Sequence, residues 1–328
     1  MPGFLAHYLF SEHSLDLLKR KELEKAIKRH KSVFYLGAQG PDIFFYYLPC
    51  NLSEKKKLGT KMHRTCTNAF FQSCIDHLHE VPTSRDEEIL FAYVAGFLCH
   101  YTLDTLTHPY IYAKSEYVKY EKTPLNNSAR HCSFETILDT NLIHHYCNQL
   151  PSSVNYSKII TLQRHEITSL AKFLSKVIRD TYFVGEKKCY VTEGFIRRAI
   201  HAMPLELRIL KDQSGRKKAF IKWVENRTIK YHLLSSLISV DQLHQALDVL
   251  NHNKKSWYSP WRPEKVRNET FLDLYEKALP VAVKRMEELY CLSKERLRPL
   301  HYEKNLTHLL SDLGNYSYNT GIPWDETM

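Results

Sequence analysis

The stretch from Phe91 to Tyr112, FAYVAGFLCHYTLDTLTHPYIY, constrains this chain most. It is apolar and aromatic enough to be an interior helix. Yet His100, Asp104 and His108 interrupt it at strict four-residue spacing. Four residues advance an α-helix by one turn plus roughly 40°, so the three side chains leave one flank of one helix. A carboxylate between two imidazoles in an apolar wall is costly unless something pairs with it. A hydrogen-bonded core cluster is one solution, and a metal ion that satisfies all three groups is the other. The i, i+4, i+8 set favours the metal.

The remaining composition narrows the setting. A chain of 328 residues with 43% hydrophobic and 25% charged residues has the profile of a soluble globular protein with a large core. No run of 18 apolar residues occurs, so no transmembrane helix is expected. The opening MPGFLAHYLFSEHSLDLLKRK lacks the order of a signal peptide, which implies a cytoplasmic protein. None of the eight Cys forms a C-x-x-C pair, so they read as reduced, mostly buried thiols rather than zinc ligands. The net charge of +10 is scattered in short clusters and expresses only a weak preference for anionic partners such as phosphate esters or anionic lipid.

Periodicity predicts an all-α fold. An amphipathic helix is expected over 14–31, with Leu15, Leu18, Leu23 and Ile27 as its apolar stripe. Gly37, Gly40 and Pro41 mark a turn, followed by Asp42 in aromatic company, where it is an N-cap or a site residue. A loop at 51–60 precedes a helix over 62–78 with His63 in its first turn. Ser84–Glu87 matches a capping box and opens the central helix, expected to kink or end at Pro109. A loop at 113–130 leads to a helix over 131–149 that carries His131 and Glu135 at i, i+4 spacing. Further helices are expected at 164–183, 193–213, 217–250 and 269–293, with 257–263 an aromatic loop. Residues 1–150 hold all the candidate ligands, and 151–328 are expected to pack helices into the same domain around them.

The N-terminal half thus offers His7, Asp42, His63, His100, Asp104, His108, His131 and Glu135. Taken singly, each has an ordinary explanation: His7 as a packed core residue, His63 as a solvent-facing first-turn residue, His131–Glu135 as a surface pair. Eight nitrogen and oxygen donors without thiolates suit zinc with positions open to water.

The order of these residues resembles the zinc-dependent phospholipase C family, which shares its fold with the S1/P1-type nucleases. H-Y-x-x-D at His100–Asp104 and H-x-x-x-E at His131–Glu135 carry the resemblance. GPD at 40–42 and the isolated His63 fall in the same order. AHYLF and GPDIFFYY look like the non-secreted bacterial branch. The resemblance implies one zinc on Asp42, His63, His100 and Asp104, and a second on His108, His131 and Glu135. It implies a third shared by Asp104 and His7, which in secreted members also uses the amine of an N-terminal Trp. This chain begins Met1-Pro2, so two zinc ions are expected and the third centre stays open.

The function so implied is hydrolysis of a phosphodiester, most readily a phospholipid, by a metal-activated water attacking phosphorus, with Asp42 as ligand or general base. Phe44, Tyr46 and Tyr47 are candidates for contact with a substrate headgroup, although each serves equally as core packing. Phospholipid or another phosphodiester, with room for peripheral membrane contact, is the expected partner. A nuclease acting on nucleotides or single-stranded nucleic acid is the alternative within the same chemistry. A non-catalytic, metal-stabilised helical protein is the alternative outside it.

Overall fold

The computed structural model describes residues 3–47, 57–78, 80, 83–116, 124–187, 189–228, 231–243, 247–295 and 299–324. In the first half the helices are α1 (Phe4–Asp16), α2 (Lys21–Arg29), α3 (Lys31–Gly37), α4 (Leu58–Met62), α5 (Thr67–Leu78), α6 (Ser84–Lys114) and α7 (Pro124–Cys147). There follow α8 (Tyr156–Ile160), α9 (Arg164–Tyr182), α10 (Glu193–Leu210), α11 (Arg216–Thr228), α12 (Leu233–Ser236), α13 (Phe271–Glu295) and α14 (Pro299–Leu313). Two 3₁₀ turns (Gly40–Phe44 and Pro151–Ser153) and four short strands complete the described elements: β1 (Lys211–Asp212) pairs in parallel with β2 (Ser239–Val240), and β3 (Trp257–Ser259) pairs antiparallel with β4 (Arg262–Arg267). The protein is all-α apart from these ribbons.

Helix α6 is the axis on which the rest is packed. Its first turn is capped by Thr83, whose hydroxyl accepts from the Asp86 amide at 3.1 Å. The cap is therefore one residue upstream of the capping box expected at Ser84. By length and composition α6 is apolar enough to cross a membrane, but 89% of its apolar window is buried inside the protein, as suits a core helix. Helices α1, α3, α9 and α13 lie against it, so both halves of the chain share one core.

The contact with α3 is the one that builds the site. A Cβ on Gly96 would meet the Phe34 carbonyl oxygen at 2.1 Å, and one on Gly37 would meet the Tyr93 carbonyl oxygen at 2.1 Å. Two glycines, one on each helix, thus let the backbones touch. The chain then turns at Gly40, whose φ of +50° suits glycine. A Cβ there would strike the His100 ring at 2.4 Å. The 3₁₀ turn Gly40–Phe44 is consequently pressed onto the middle of α6, with Asp42 inside it.

Several expected boundaries move. The stripe Leu15, Leu18, Leu23 and Ile27 is buried, but a break at 17–20 divides it between α1 and α2, with Leu18 reaching the core from the link between them. The helix expected at 62–78 is two helices, and His63 caps the C-terminus of α4 rather than opening a helix. Between them Cys66 adopts a left-handed φ of 61°, which no residue type in the stretch announces. Pro109 does not end α6. The helix runs on to Lys114 because tertiary packing outweighs one lost amide donor. Helix α7 begins before the expected 131, and the expected loop at 113–130 lies partly outside the described residues, as does most of that at 51–60. The helix expected over 217–250 stops at Thr228, and the aromatic loop at 257–263 falls within the β3–β4 hairpin. The described cysteines are unbridged, and only Cys74 and Cys99 are buried, fewer than expected.

Candidate metal centre

Helix α6 supplies His100, Asp104 and His108 from one flank, all buried. The 3₁₀ turn brings Asp42 against them, α1 brings His7, the end of α4 brings His63, and α7 brings His131 and Glu135. Asp104 sits in the middle. Its Oδ1 lies 3.2 Å from His7 Nε2, and its Oδ2 lies 3.1 Å from His100 Nε2 and 3.8 Å from His63 Nε2. His63 Nε2 is in turn 3.1 Å from Asp42 Oδ1. At the other end, Glu135 Oε1 lies 2.8 Å from His131 Nε2 and 3.3 Å from His108 Nε2. The His7 and His100 rings stack at 4.2 Å.

Three backbone carbonyls set the imidazoles. His63 Nδ1 donates to the Gly59 carbonyl at 2.7 Å, His100 Nδ1 to Ala38 at 3.2 Å, and His108 Nδ1 to Tyr318 at 3.0 Å. A carbonyl can only accept, so the proton of each neutral ring is on Nδ1 and the Nε2 lone pair faces the cluster. Lone pairs then confront carboxylate oxygens at about hydrogen-bond distance. That arrangement is repulsive unless a proton or a cation lies between. Donors bound tetrahedrally to one zinc at about 2.0–2.2 Å stand roughly 3.3–3.6 Å apart, close to the spacings seen here. Buried His7 Nδ1, both oxygens of Asp42, His63 Nε2, His100 Nε2 and Asp104 Oδ2 make no hydrogen bond among the described residues. Asp42 is therefore not an N-cap. Buried polar atoms without partners are rare and call for an ion or water. Three sets have donor atoms mutually within 4.8 Å: His7–Asp42–His100, His63–His100–Asp104 and His108–His131–Glu135. The first two compete for the single free nitrogen of His100.

The electrostatics fit the donor chemistry. Burial lowers the pKa of His100 and of His131, which favours the neutral, ligating form. Burial opposes the charge on Asp104, but the imidazoles of His108, His100 and His7 override it and hold the carboxyl well below its ordinary range. Glu135 is likewise depressed against its burial, chiefly by His131. For His108, burial is outweighed by Asp104 and Glu135, which raise the ring to about 9. In the metal-free protein, then, a proton on His108 fills the place a cation would take.

The cluster is buried. His131 is the most exposed of the eight, at 9%. Tyr112 lies against its ring at 4.4 Å, and Trp261 lies edge-on to Tyr112 at 4.9 Å. The C-terminal turn covers the opposite end. Tyr318 packs on the rings of His63 and His100, and its amide donates to the His63 carbonyl at 2.9 Å. Of the aromatic candidates, Phe44 is buried beside Phe195. Tyr46 is buried and lines a recess with Gly3, Phe4 and Asp139, none of them a candidate ligand. Tyr47 is half-buried, with its hydroxyl accepting from Arg198 Nε at 2.8 Å.

Asp139 was missed. It continues the four-residue spacing of His131 and Glu135 along α7, and its carboxylate accepts from the amides of Leu5 and Ala6 at 2.9 Å each. It thereby caps α1 from another helix and anchors the turn that carries His7. Burial raises its pKa to about 7 against those amide donors. The continued spacing was the available signal. The carbonyls of Gly59, Ala38 and Tyr318 had none, because backbone acceptors are brought in by tertiary structure.

A family model described as zinc-dependent phospholipase C matches residues 6–187, more than half of the chain, a span within which the eight candidate ligands fall. In the comparisons with curated proteins and with solved structures, nothing matches.

Proposed function

The chain belongs to the zinc-dependent phospholipase C family, and from that premise we propose that it hydrolyses a phosphodiester at a zinc cluster, with a phospholipid as the substrate. The observation that carries this reading is the set of Nε2 lone pairs and carboxylate oxygens facing one another in a buried space. His63, His100, Asp104 and Asp42 would hold one zinc, and His108, His131 and Glu135 a second. Asp104 has a second oxygen turned to His7 and is the group able to serve two ions at once. Zinc so held supplies a Lewis acid for phosphoryl oxygens and lowers the pKa of a bound water to about 7.

The chain's own groups do the rest. Asp42 has two buried oxygens with no hydrogen bond among the described residues, so one can ligate while the other receives the proton of the attacking water. The carbonyls of Gly59, Ala38 and Tyr318 keep the rings oriented, as partners of metal-binding histidines commonly do. Tyr112 lies against His131, where the cluster is least covered, and Trp261 lies edge-on to Tyr112.

The enclosure of the cluster favours one second reading, a protein that keeps zinc for stability without turnover. Assays with phosphatidylcholine, bis-p-nitrophenyl phosphate and single-stranded DNA, before and after chelation, separate the cases. Zinc-dependent release of diacylglycerol is expected. Cleavage of DNA alone would move the assignment to a nuclease, and bound zinc with no turnover on any of the three would leave the structural reading.

A further inference from the structure

Helix α11 has a face that nothing among the described residues covers. It reads RKKAFIKWVENRT, and its buried side chain, Glu225, points inward to accept from the amides of Leu234 and Ser235 at the start of α12. At about 100° per residue, Trp223 projects almost opposite Glu225, with Phe220, Arg216 and Arg227 close beside it. Phe220 is 63% exposed and Trp223 51%. Their rings lie 6.1 Å apart at 21°, and the Arg227 guanidinium rests 4.0 Å from the Trp223 ring centre. Lys217 and Lys222 stand to either side of this ridge. Lys217 also donates to the carbonyls of Ile209 and Lys211, which ties α11 to the end of α10, where Ile209 is exposed as well.

We propose that the outward face of α11 is a docking surface for an anionic phospholipid bilayer, with Phe220 and Trp223 entering the boundary between headgroups and acyl chains. The charge pattern selects this occupant. Arg216, Lys217, Lys222 and Arg227 surround the two aromatic rings, and the one carboxylate of the helix is turned away. An interfacial helix needs this combination of aromatic insertion and cationic flanks. A second copy of the chain would bring like charges together across a two-fold axis. In nucleic-acid binding the cations would meet the phosphates first, whereas here the Phe220 and Trp223 rings are themselves more than half exposed.

The inference deepens the phospholipid reading and takes its purpose from it. Helix α12 joins α11 to the site-bearing helix: Thr136, next to Glu135 on α7, donates to the Ser236 carbonyl at 2.8 Å. A bilayer held on α11 is therefore held beside the helix that carries His131.

The test is cosedimentation of the full chain with vesicles of phosphatidylcholine alone and of phosphatidylcholine with about a third phosphatidylglycerol. Binding to the anionic vesicles, weakened by added salt, is expected. Phe220→Ser with Trp223→Ser, and separately Arg216→Gln with Lys222→Gln, should each weaken it about tenfold or more. Hydrolysis of soluble bis-p-nitrophenyl phosphate should be unchanged in both variants, which keeps this outcome distinct from failure of the zinc site. Absence of binding by the native chain, equal binding by the variants, or variant-sensitive self-association or DNA binding without vesicle binding would each overturn the proposal.

Discussion

Buried charge is handled in two different ways in this molecule. Between α13 and α14, Arg285 is 7% exposed and fully engaged. Its guanidinium reaches Asp312 Oδ2 at 2.9 Å, the Asp312 carbonyl at 2.8 Å and Thr102 Oγ1 at 2.9 Å, and Lys284 takes the other Asp312 oxygen at 2.6 Å. At the other side of α6, Asp42, His63, His100 and Asp104 are as deeply buried, yet their atoms face one another as lone pairs and carboxylates. The first arrangement is complete with the protein's own groups. The second needs a proton or a cation between its groups. A buried polar cluster is therefore informative less for its burial than for whether its donors and acceptors balance.

Asp104→Asn breaks the second arrangement most directly. The amide retains the size and loses the charge that can serve two ions. One or more zinc ions should be lost, and the phosphodiesterase rate should fall at least about 10²-fold. Full zinc content with normal turnover would make Asp104 structural. Arg285→Ala breaks the first arrangement and should do the reverse. Stability should fall by about 2 kcal/mol in denaturant melts, below the range for a fully buried pair because Lys284 still serves the partly exposed Asp312. Zinc content should not change. A loss of zinc in this variant would show that the two regions are not independent.

Acidity sharpens the contrast in the chelated protein. His108 keeps its proton to about 9 when folded, whereas an unfolded histidine loses it near 6.5. Its contribution is thus complete below about 6.5 and lost as pH rises to about 9. Asp104 and Glu135 are depressed, so their contribution is complete above about 4.5 and lost on acidification. The lowered rings of His100 and His131 add a penalty as pH falls through about 6.5. Thermal melts of the metal-free chain should therefore decline from about pH 6.5 toward 9. The stabilisation added by zinc should grow over the same range, since the ion replaces the His108 proton. A metal-free profile flat from 6.5 to 9 would contradict this. The smallest effect is expected from Glu116→Gln, at the exposed end of α6, which should leave melting temperature and zinc content unaltered.

Much of this was legible beforehand, for reasons that can be named. The four-residue spacing of His100, Asp104 and His108 survives any error in helix boundaries, because α6 extends well beyond both ends of the set. His131 and Glu135 are legible in the same way. Periodicity located α9, α10 and α13 closely because each has a long buried stripe. It failed where a stripe continues through a break, as at Leu18, or where one residue carries an unfavourable φ, as at Cys66. Nor does Pro109 end α6, because the identity of one residue says little about the packing that holds the helix together. The backbone approach at Gly37 and Gly96, which delivers Asp42 to His100, and the cover supplied by Tyr318 are products of the fold and have no local signature.

The central claim is that the imbalance around Asp104 is filled by zinc. Elemental analysis of the full chain, purified without a chelating tag, tests it most directly. The account predicts about two tightly bound zinc ions per chain, released together with activity by a chelator. Less than about one zinc per chain in protein that is folded and never exposed to chelator would contradict it.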